Sequence, residues 1–499
     1  MTDLDPTVCY RALLTRDARF DGRLFVAVTS TGIYCRPVCP ARTPKPENCR
    51  FFPSAAAAQE AGFRPCLRCR PETAPEQGAW RGTSNTVARG LEQIAAGALD
   101  GDQGVEQLAE RLGVGERHLR RLFQQHLGAS PIAVAQTRRV LFAKQLIHQT
   151  RLPMSEVALA AGFGSVRRFN ETFQQLYQRP PSALRRKASV TLPAGSSAAT
   201  GVSLRLRYRA PYDWPAMLGH LRARAISGIE EVTEERYLRS WQEGGELGSV
   251  EIGHLPELHS LEVTVRIGRL GVLPQIVNRV RRMFDLAADL SAIEAHLAQD
   301  PLLAALGAKR PGLRVPGGWD GFELGARAVL GQQVSVAAAR QLGEQLVRAC
   351  GQRVLLGAAL TRVFPSAAQV LAADLSLLGM PRARREALLA LARASLADPA
   401  LFEAAATIEE TVARLRRVPG VGDWTAHYIA LRAARDPDAF PAADRGLLRG
   451  MGACAPGFES AQALLARAER WRPWRSYAAQ HLWAQDAATD TVSQAGGAR

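Results

Sequence analysis

The chain has 499 residues, with 63 Lys+Arg against 47 Asp+Glu and a formal net charge of +16. That length holds three or four domains with ample cores and excludes a single stapled miniprotein, while the basic balance calls for a polyanionic partner, either nucleic acid or an anionic membrane. The charge is uneven: up to residue 190 there are 27 basic against 16 acidic residues, and beyond it 36 against 31, so the first part should hold a polyanion more by charge and the second more by shape and chemistry.

The first 80 residues read as a small module framed by a β-rich run, Leu24 to Val28, and by a helix from Ser54 to Gly62 with a serine N-cap and a glycine stop. Between and after these elements stand Cys35-x3-Cys39 and Cys66-x2-Cys69, two proline-turned knuckles that can converge on one tetrahedral Zn²⁺. On spacing alone this is a four-cysteine structural staple. The wording around it, Gly32-Ile33-Tyr34-Cys35-Arg36-Pro37 and Gly62-Phe63-Arg64-Pro65-Cys66, resembles the zinc domain of the Ada methyl-phosphotriester repair proteins. The resemblance implies that Cys35 is both a zinc ligand and a sacrificial methyl acceptor, with Cys39, Cys66 and Cys69 completing the site. Arg36, Arg42, Lys45, Arg50, Arg64, Arg68 and Arg70 surround the thiols and are the natural groups to hold phosphates beside a reactive sulfur.

Residues 84–188 turn fully helical and repeat themselves. Gln107 to Val114 followed by Arg117 to Gln125 has helix, glycine turn, helix wording, and Val157 to Phe163 followed by Arg167 to Gln175 repeats it. Phe169, Phe173 and Leu176 are the expected core face of the last helix, and Arg117, Arg120, Arg167 and Arg168 the expected DNA-facing side chains. Two such units in tandem resemble the AraC-type DNA-binding domain, whose recognition helices, roughly 34 Å apart, read successive major grooves. A small-residue linker is predicted at 189–202.

Beyond it, the alternating runs Leu204 to Arg209 and Ser260 to Ile267 indicate an α+β domain over 203–312, and the chain is helical from Gly318, giving a domain over 313–489 and a tail at 490–499. Pro419-Gly420-Val421-Gly422 between helical segments is helix-hairpin-helix wording, in which glycines let backbone N–H groups approach a phosphate. With Phe440 to Asp444 and Ala468 to Ala478, this half resembles the AlkA-type 3-methyladenine DNA glycosylases. By that resemblance Asp444 is the catalytic carboxylate, Trp424, Tyr428 and Trp471 line the base pocket, and Gln333 occupies the position of the wedge that fills the stack left by a flipped base. Asp444 read without the family is a helix N-cap. Trp424 standing where strand-cleaving relatives carry a lysine implies a monofunctional enzyme, and neither Cys350 nor Cys454 has the context of a second methyl-acceptor cysteine. His220 departs from the aromatic that the relative carries there.

The fold class expected is thus multidomain and mainly α with α+β parts: zinc module, tandem helix-turn-helix, α+β domain and all-α glycosylase domain. Expected partners are one Zn²⁺, alkylated and promoter double-stranded DNA, and RNA polymerase, for a monomer. Scattered remaining cysteines and an acidic N-terminus without an apolar core suit a soluble cytoplasmic protein. The alternative reading is a zinc-containing DNA-binding regulator whose second half binds damage without catalysis.

Overall fold

The computed structural model describes residues 4–74, 85–100, 104–185, 201–455 and 460–496. The linker expected at 189–202 lies outside the described residues up to position 200. The chain forms two compact units, Met1–Tyr208 with Leu255–Asn278, and Arg209–His254 with Arg279–Arg499.

In the first unit, β1 (Phe25–Val28), β2 (Ile33–Cys35), β3 (Cys49–Phe52) and β4 (Arg64–Pro65) form a sheet in the order β3-β1-β2-β4. β1 pairs antiparallel with both neighbours, in a register that sets Val26 opposite Cys35, and β4 runs parallel to β2. Cys35 at the end of β2 and Cys66 just after β4 are therefore delivered side by side. The helix Ala55–Glu60 covers this sheet, capped by Ser54, whose Oγ accepts from Ala57 N and donates to Leu127 O at 2.7 Å. That second bond ties the cysteine module to the helical module.

The two predicted helix pairs are Val105–Arg111 with Glu116–Leu127, and Met154–Ala160 with Val166–Tyr177. Leu119 and Phe123 fill the core of the first, and Phe169, Phe173 and Tyr177 that of the second. Tyr177 takes the place expected for Leu176, because a spacing of four keeps three aromatic rings on one stripe and leaves Leu176 half-buried. Between the pairs runs the helix Pro131–Gln149, whose Lys144 has no exposed surface and pairs with Glu72 Oε2 at 2.7 Å. The same ammonium approaches Cys66 O at 3.4 Å. The unit also contains the antiparallel strands Val202–Arg207 and Ser260–Arg266, with alternate side chains buried as their patterns require.

In the second unit, Glu230–Val232, Arg236–Glu243 and Glu246–Leu255 make an antiparallel meander. Arg239 bonds Glu323 at 2.7 Å and Arg327 bonds Glu230 at 2.6 Å, so a buried, charge-balanced quartet fastens the meander to the helix Gly321–Leu330. The remaining helices share one core that includes Phe322, Leu391, Leu415, Ile429, Leu447 and Leu482. Helix Arg445–Gly452 packs on helix Arg475–Gly496 so closely that a Cβ at Gly450 would lie 2.2 Å from Leu482 O. Among the described residues no helix is long and apolar enough to cross a membrane.

Candidate functional site

Two reactive centres emerge, one in each unit. In the first, the sulfurs of Cys35, Cys39, Cys66 and Cys69 all lie within 4.8 Å of one another. A tetrahedral Zn²⁺ with Zn–S bonds of about 2.3 Å needs sulfurs roughly 3.8 Å apart, so the donor set and its size fit that ion. Four thiols so close cannot ionise independently: hydrogen bonds from Cys35, Cys39 and Cys69 pull Cys66 down, while contact with the other three sulfurs pushes Cys35 up. A cation is the group that resolves this conflict.

The four sulfurs are not equivalent. Cys66 Sγ accepts from the amides of Arg68 (3.3 Å) and Cys69 (3.5 Å), and Cys69 Sγ accepts from Arg36 N at 3.4 Å. Among the described residues no amide donates to Cys35 Sγ, and Cys35 alone of the four is not fully buried. N–H donation stabilises a thiolate and lowers its nucleophilicity, which sets Cys35, without an amide donor and the least buried residue of the four, apart from the other three.

Of the arginines expected on DNA, Arg42 and Arg68 are exposed and Arg64 is half-buried on β4. Arg36 corrects its expectation. It is 4 % exposed, its guanidinium is clamped on Asp21, and it donates to Cys69 O at 3.2 Å and Thr73 Oγ1 at 2.7 Å. It braces the cysteine loop instead of reaching for a phosphate. On the recognition helices Arg117, Arg120, Arg167 and Arg168 are all exposed, with Arg120 paired to Glu116 and Arg167 to Glu171, each at 2.8 Å one turn away.

The second centre is built around Asp444, the N-cap of helix Arg445–Gly452. Its Oδ1 accepts from Leu447 N at 3.1 Å and Trp483 Nε1 at 2.8 Å, and its Oδ2 accepts from Trp424 Nε1 at 2.7 Å. One carboxylate thus caps a helix and accepts from two indoles. Trp424 and Tyr428, one turn apart on helix Asp423–Arg432, stack at 5.3 Å and 15°, and Tyr428 meets the edge of Trp483 at 6.4 Å. The Arg432 guanidinium lies 4.8 Å from the Trp483 ring centre and is held by Pro316 O and Gln480 Oε1. Burial alone raises the Tyr428 phenol, but Arg224 and Arg432 beside it bring it below the ordinary tyrosine range. Burial drives Arg432 down to about 10 despite that phenol.

Trp471 is a second correction. It is 1 % exposed in the core, edge-on to Phe440, with its indole N–H on Asp300 Oδ2 at 2.9 Å, so no face is left for a base. The third aromatic of the site is Trp483, which stands twelve residues later on the neighbouring helix and went unnoticed in the sequence. Its signal, an indole on the same apolar stripe as Leu482 and Ala479, is also that of an ordinary core residue. Gly446 was missed as well: a Cβ there would come within 3.1 Å of Asp444 Oδ1, Asp486 Oδ2 and Trp483 Cδ1.

The hairpin follows the glycines. Gly420 has φ +84° and a Cβ there would strike Ala387 Cβ at 2.3 Å, while Gly422 is the exposed N-cap of helix Asp423–Arg432 without a side-chain capping bond. Gln332 fastens this turn, its Nε2 donating to Gly420 O at 2.9 Å and Thr425 Oγ1 at 3.0 Å, and its own carbonyl accepting from Arg384 at 2.6 Å. The adjacent Gln333 is exposed with φ +57°, a rare left-handed conformation that sends it out from a firmly held neighbour.

Comparison with known proteins gives three domain matches along the chain. Residues 8–72 match the metal-binding domain of Ada, residues 108–187 a helix-turn-helix domain, and residues 203–320 the AlkA N-terminal domain. The chain is 44% identical over 478 residues, 95% of each chain, to a probable bifunctional transcriptional activator/DNA repair enzyme AlkA of Mycobacterium tuberculosis. It is 38% identical over 283 residues to DNA-3-methyladenine glycosylase 2 of Escherichia coli, covering 56% of this chain and 95% of that one. Among solved structures, a 3-methyladenine DNA glycosylase from Archaeoglobus fulgidus shares the fold of this half, with a TM-score of 0.51 at 20% identity, over 57% of this chain and 98% of the other.

Proposed function

Because the chain belongs to the family of bifunctional transcriptional activator/DNA repair enzymes that join an Ada-type metal domain to an AlkA-type half, we propose that it repairs alkylated DNA at two centres and activates transcription with the first. It takes a methyl group from a DNA methylphosphotriester onto Cys35 and excises alkylated purines, of the 3-methyladenine and 7-methylguanine type, by N-glycosidic hydrolysis. The observation that carries the second activity is the Asp444 carboxylate, fixed by two indole N–H groups and a helix amide beside stacked Trp424 and Tyr428.

The chemistry follows from the residues. Alkylation at N3 or N7 makes the base a cation and a good leaving group, so the enzyme needs little acid catalysis. Aromatic faces hold the extruded base, and Asp444 supplies fixed negative charge for the oxocarbenium-like sugar as the glycosidic bond breaks. The base departs neutral with the bonding electron pair, water adds to the sugar carbon, and the proton it sheds passes to solvent. Gly422 and the hairpin amides grip the backbone phosphate, and Gln333 fills the vacated stack.

At the first centre Cys35, Cys39, Cys66 and Cys69 would hold Zn²⁺, which would keep all four sulfurs ionised as thiolates near neutral pH. Cys35 Sγ attacks the methyl carbon, a C–S bond forms, the C–O bond breaks, and an ordinary phosphodiester anion leaves. Arg42, Arg64 and Arg68 hold the flanking phosphates, and the exposed arginines of the two recognition helices hold promoter DNA. We extend the proposal to the domain limits 1–80, 84–188, 203–312 and 313–489, to action as a monomer in the cytoplasm, and to RNA polymerase as the activator's partner.

The deciding experiment is incubation of the full chain with methylated duplex DNA. Free methylpurines in solution and one methyl on Cys35 by mass spectrometry are expected; tight binding of the same DNA with neither product would leave a damage-binding regulator instead.

A further inference from the structure

The turn that follows the helix Gly321–Leu330 is pinned at both ends. Gln332 begins it, and Ser335 ends it as the N-cap of the helix Val336–Cys350, its Oγ accepting from Ala338 N at 3.2 Å. Between them Gln333 is exposed, with φ +57° and, among the described residues, no hydrogen-bond partner for its side chain. A residue with a Cβ enters the left-handed region at a cost in free energy, so this conformation persists because its neighbours hold it.

The contacts that hold Gln332 also shape the hairpin. Its Nε2 donates to Gly420 O at 2.9 Å and to Thr425 Oγ1 at 3.0 Å, which uses both N–H bonds of the amide, while Arg384 holds its backbone carbonyl. Gly420 is the left-handed residue of the hairpin turn. Thr425 is 2 % exposed and directly follows Trp424, whose indole donates to Asp444 Oδ2. One amide therefore joins the turn that presents Gln333 to the hairpin turn and to the first turn of the helix Asp423–Arg432, which carries Trp424 and Tyr428. A relative shift of about 1 Å between the two turns would break both bonds.

We propose that Gln332 is a positioning residue for base extrusion: its amide ties Gln333 to the hairpin, so that the stack is opened from a backbone already gripped. The inference rests on the base-excision reading above. Extrusion costs unstacking and unpairing before any bond breaks, and a side chain that fills the gap offsets that cost only while its own backbone is held in place. Gln332 passes that load to the hairpin and takes no part in cleavage of the glycosidic bond.

The test uses the full chain, Gln332→Met, Gln333→Ala, their double variant and Thr425→Val, with duplex DNA carrying 7-methylguanine beside a 2-aminopurine, whose fluorescence rises when its stack opens. Gln332→Met keeps the length of the side chain and removes both donors; it should lower kcat/KM for 7-methylguanine about tenfold and remove most of the fluorescence rise. Gln333→Ala should do the same, and the double variant should fall no more than about threefold below the lower single one, because both act through one step. Thr425→Val keeps the shape and removes one acceptor; it should cost about threefold, an effect that disappears in the Gln333→Ala background and decides the question if Gln332→Met fails to fold. Losses that multiply in the double variants, or a full fluorescence rise in Gln332→Met, overturn the assignment and leave Gln332 a brace of the fold, as does the absence of any rise with the unsubstituted chain. A rise with the unsubstituted chain and no released base overturns the glycosylase reading alone, because extrusion is read before the bond is cut.

Discussion

The two centres differ in how far along the chain their parts are drawn. The cysteine cluster comes from 35 consecutive residues, and its sulfurs differ in which of them accept amide donors. The Asp444 centre takes Trp424 from one helix, its carboxylate from the next and Trp483 from a third, 39 residues from Asp444. A local site tolerates change elsewhere in the fold; a site gathered from several helices fails when any of their packings shifts. The difference teaches that a loop can carry nucleophilic chemistry by itself, whereas a shaped base pocket needs a rigid helical core behind it.

Substitutions that act on one centre and spare the other sharpen this contrast. The largest effect is expected from Asp444→Asn. An amide has one acceptor oxygen where two indole N–H groups converge and lacks the charge that meets the sugar cation, so base release should fall by about a thousandfold or more. Methyl transfer to Cys35 and DNA binding should persist, and near-normal release of 3-methyladenine would refute the role given to Asp444.

Lys144→Met should cost about 3 kcal/mol or less in the stability of the first unit, because it removes the nearer of two cations on buried Glu72 and leaves only Arg70 Nε at 3.3 Å. Methyl transfer and operator binding should fall together while base release survives. If base release fell equally, the contrast between a local and a distributed site would be broken.

His481 gives an acid-side signature for the second unit. Burial, with help from Arg310, brings its imidazole to about 4 against an ordinary 6.5. The unfolded chain then binds the proton more tightly, so this contribution is fully present above about pH 6.5 and is lost as pH falls toward 4. At pH 5 the loss amounts to about 2 kcal/mol. His481→Leu should flatten the fall of the melting temperature between pH 6.5 and 4, and an unaltered profile would show that other groups govern it.

Methylation of Cys35 is expected to tighten operator binding. Four thiolates on one dication carry −2, and conversion of one to a thioether leaves −1. One unit less repulsion close to DNA is worth on the order of 1–4 kcal/mol before screening, so about a tenfold gain at low salt that shrinks at high salt. Cys35→Ser should take no methyl and gain nothing; an unchanged dissociation constant after methylation would remove the switch.

The smallest effect separates two tryptophans. Trp471→Phe loses one hydrogen bond to the Asp300 carboxylate, about 1.5–3 kcal/mol of stability, and should leave base release within a few-fold. Trp483→Phe removes a donor from Asp444 and should slow it more. The reverse order would restore Trp471 to the pocket.

Much of this was legible in the sequence because it is governed by neighbours close along the chain. Cysteine spacing determined the ligand set, Ser54 marked a helix start, the glycines of Pro419 to Gly422 marked the hairpin, and the repeated helix pairs announced a tandem DNA-binding module. What only the tertiary structure decided are facts about direction and burial. Arg36 looks like its exposed neighbours in sequence, yet Asp21, fifteen residues earlier, draws it inward. Trp471 and Trp483 lie in one aromatic-rich stretch, and helical periodicity makes both of them core. Which of them faces Asp444 depends on the close approach at Gly450, where the helix capped by Asp444 meets the helix bearing Trp483, and on Asp300 claiming the other indole. Local pattern determines which residues can turn inward; only the packing of distant helices determines what they meet there.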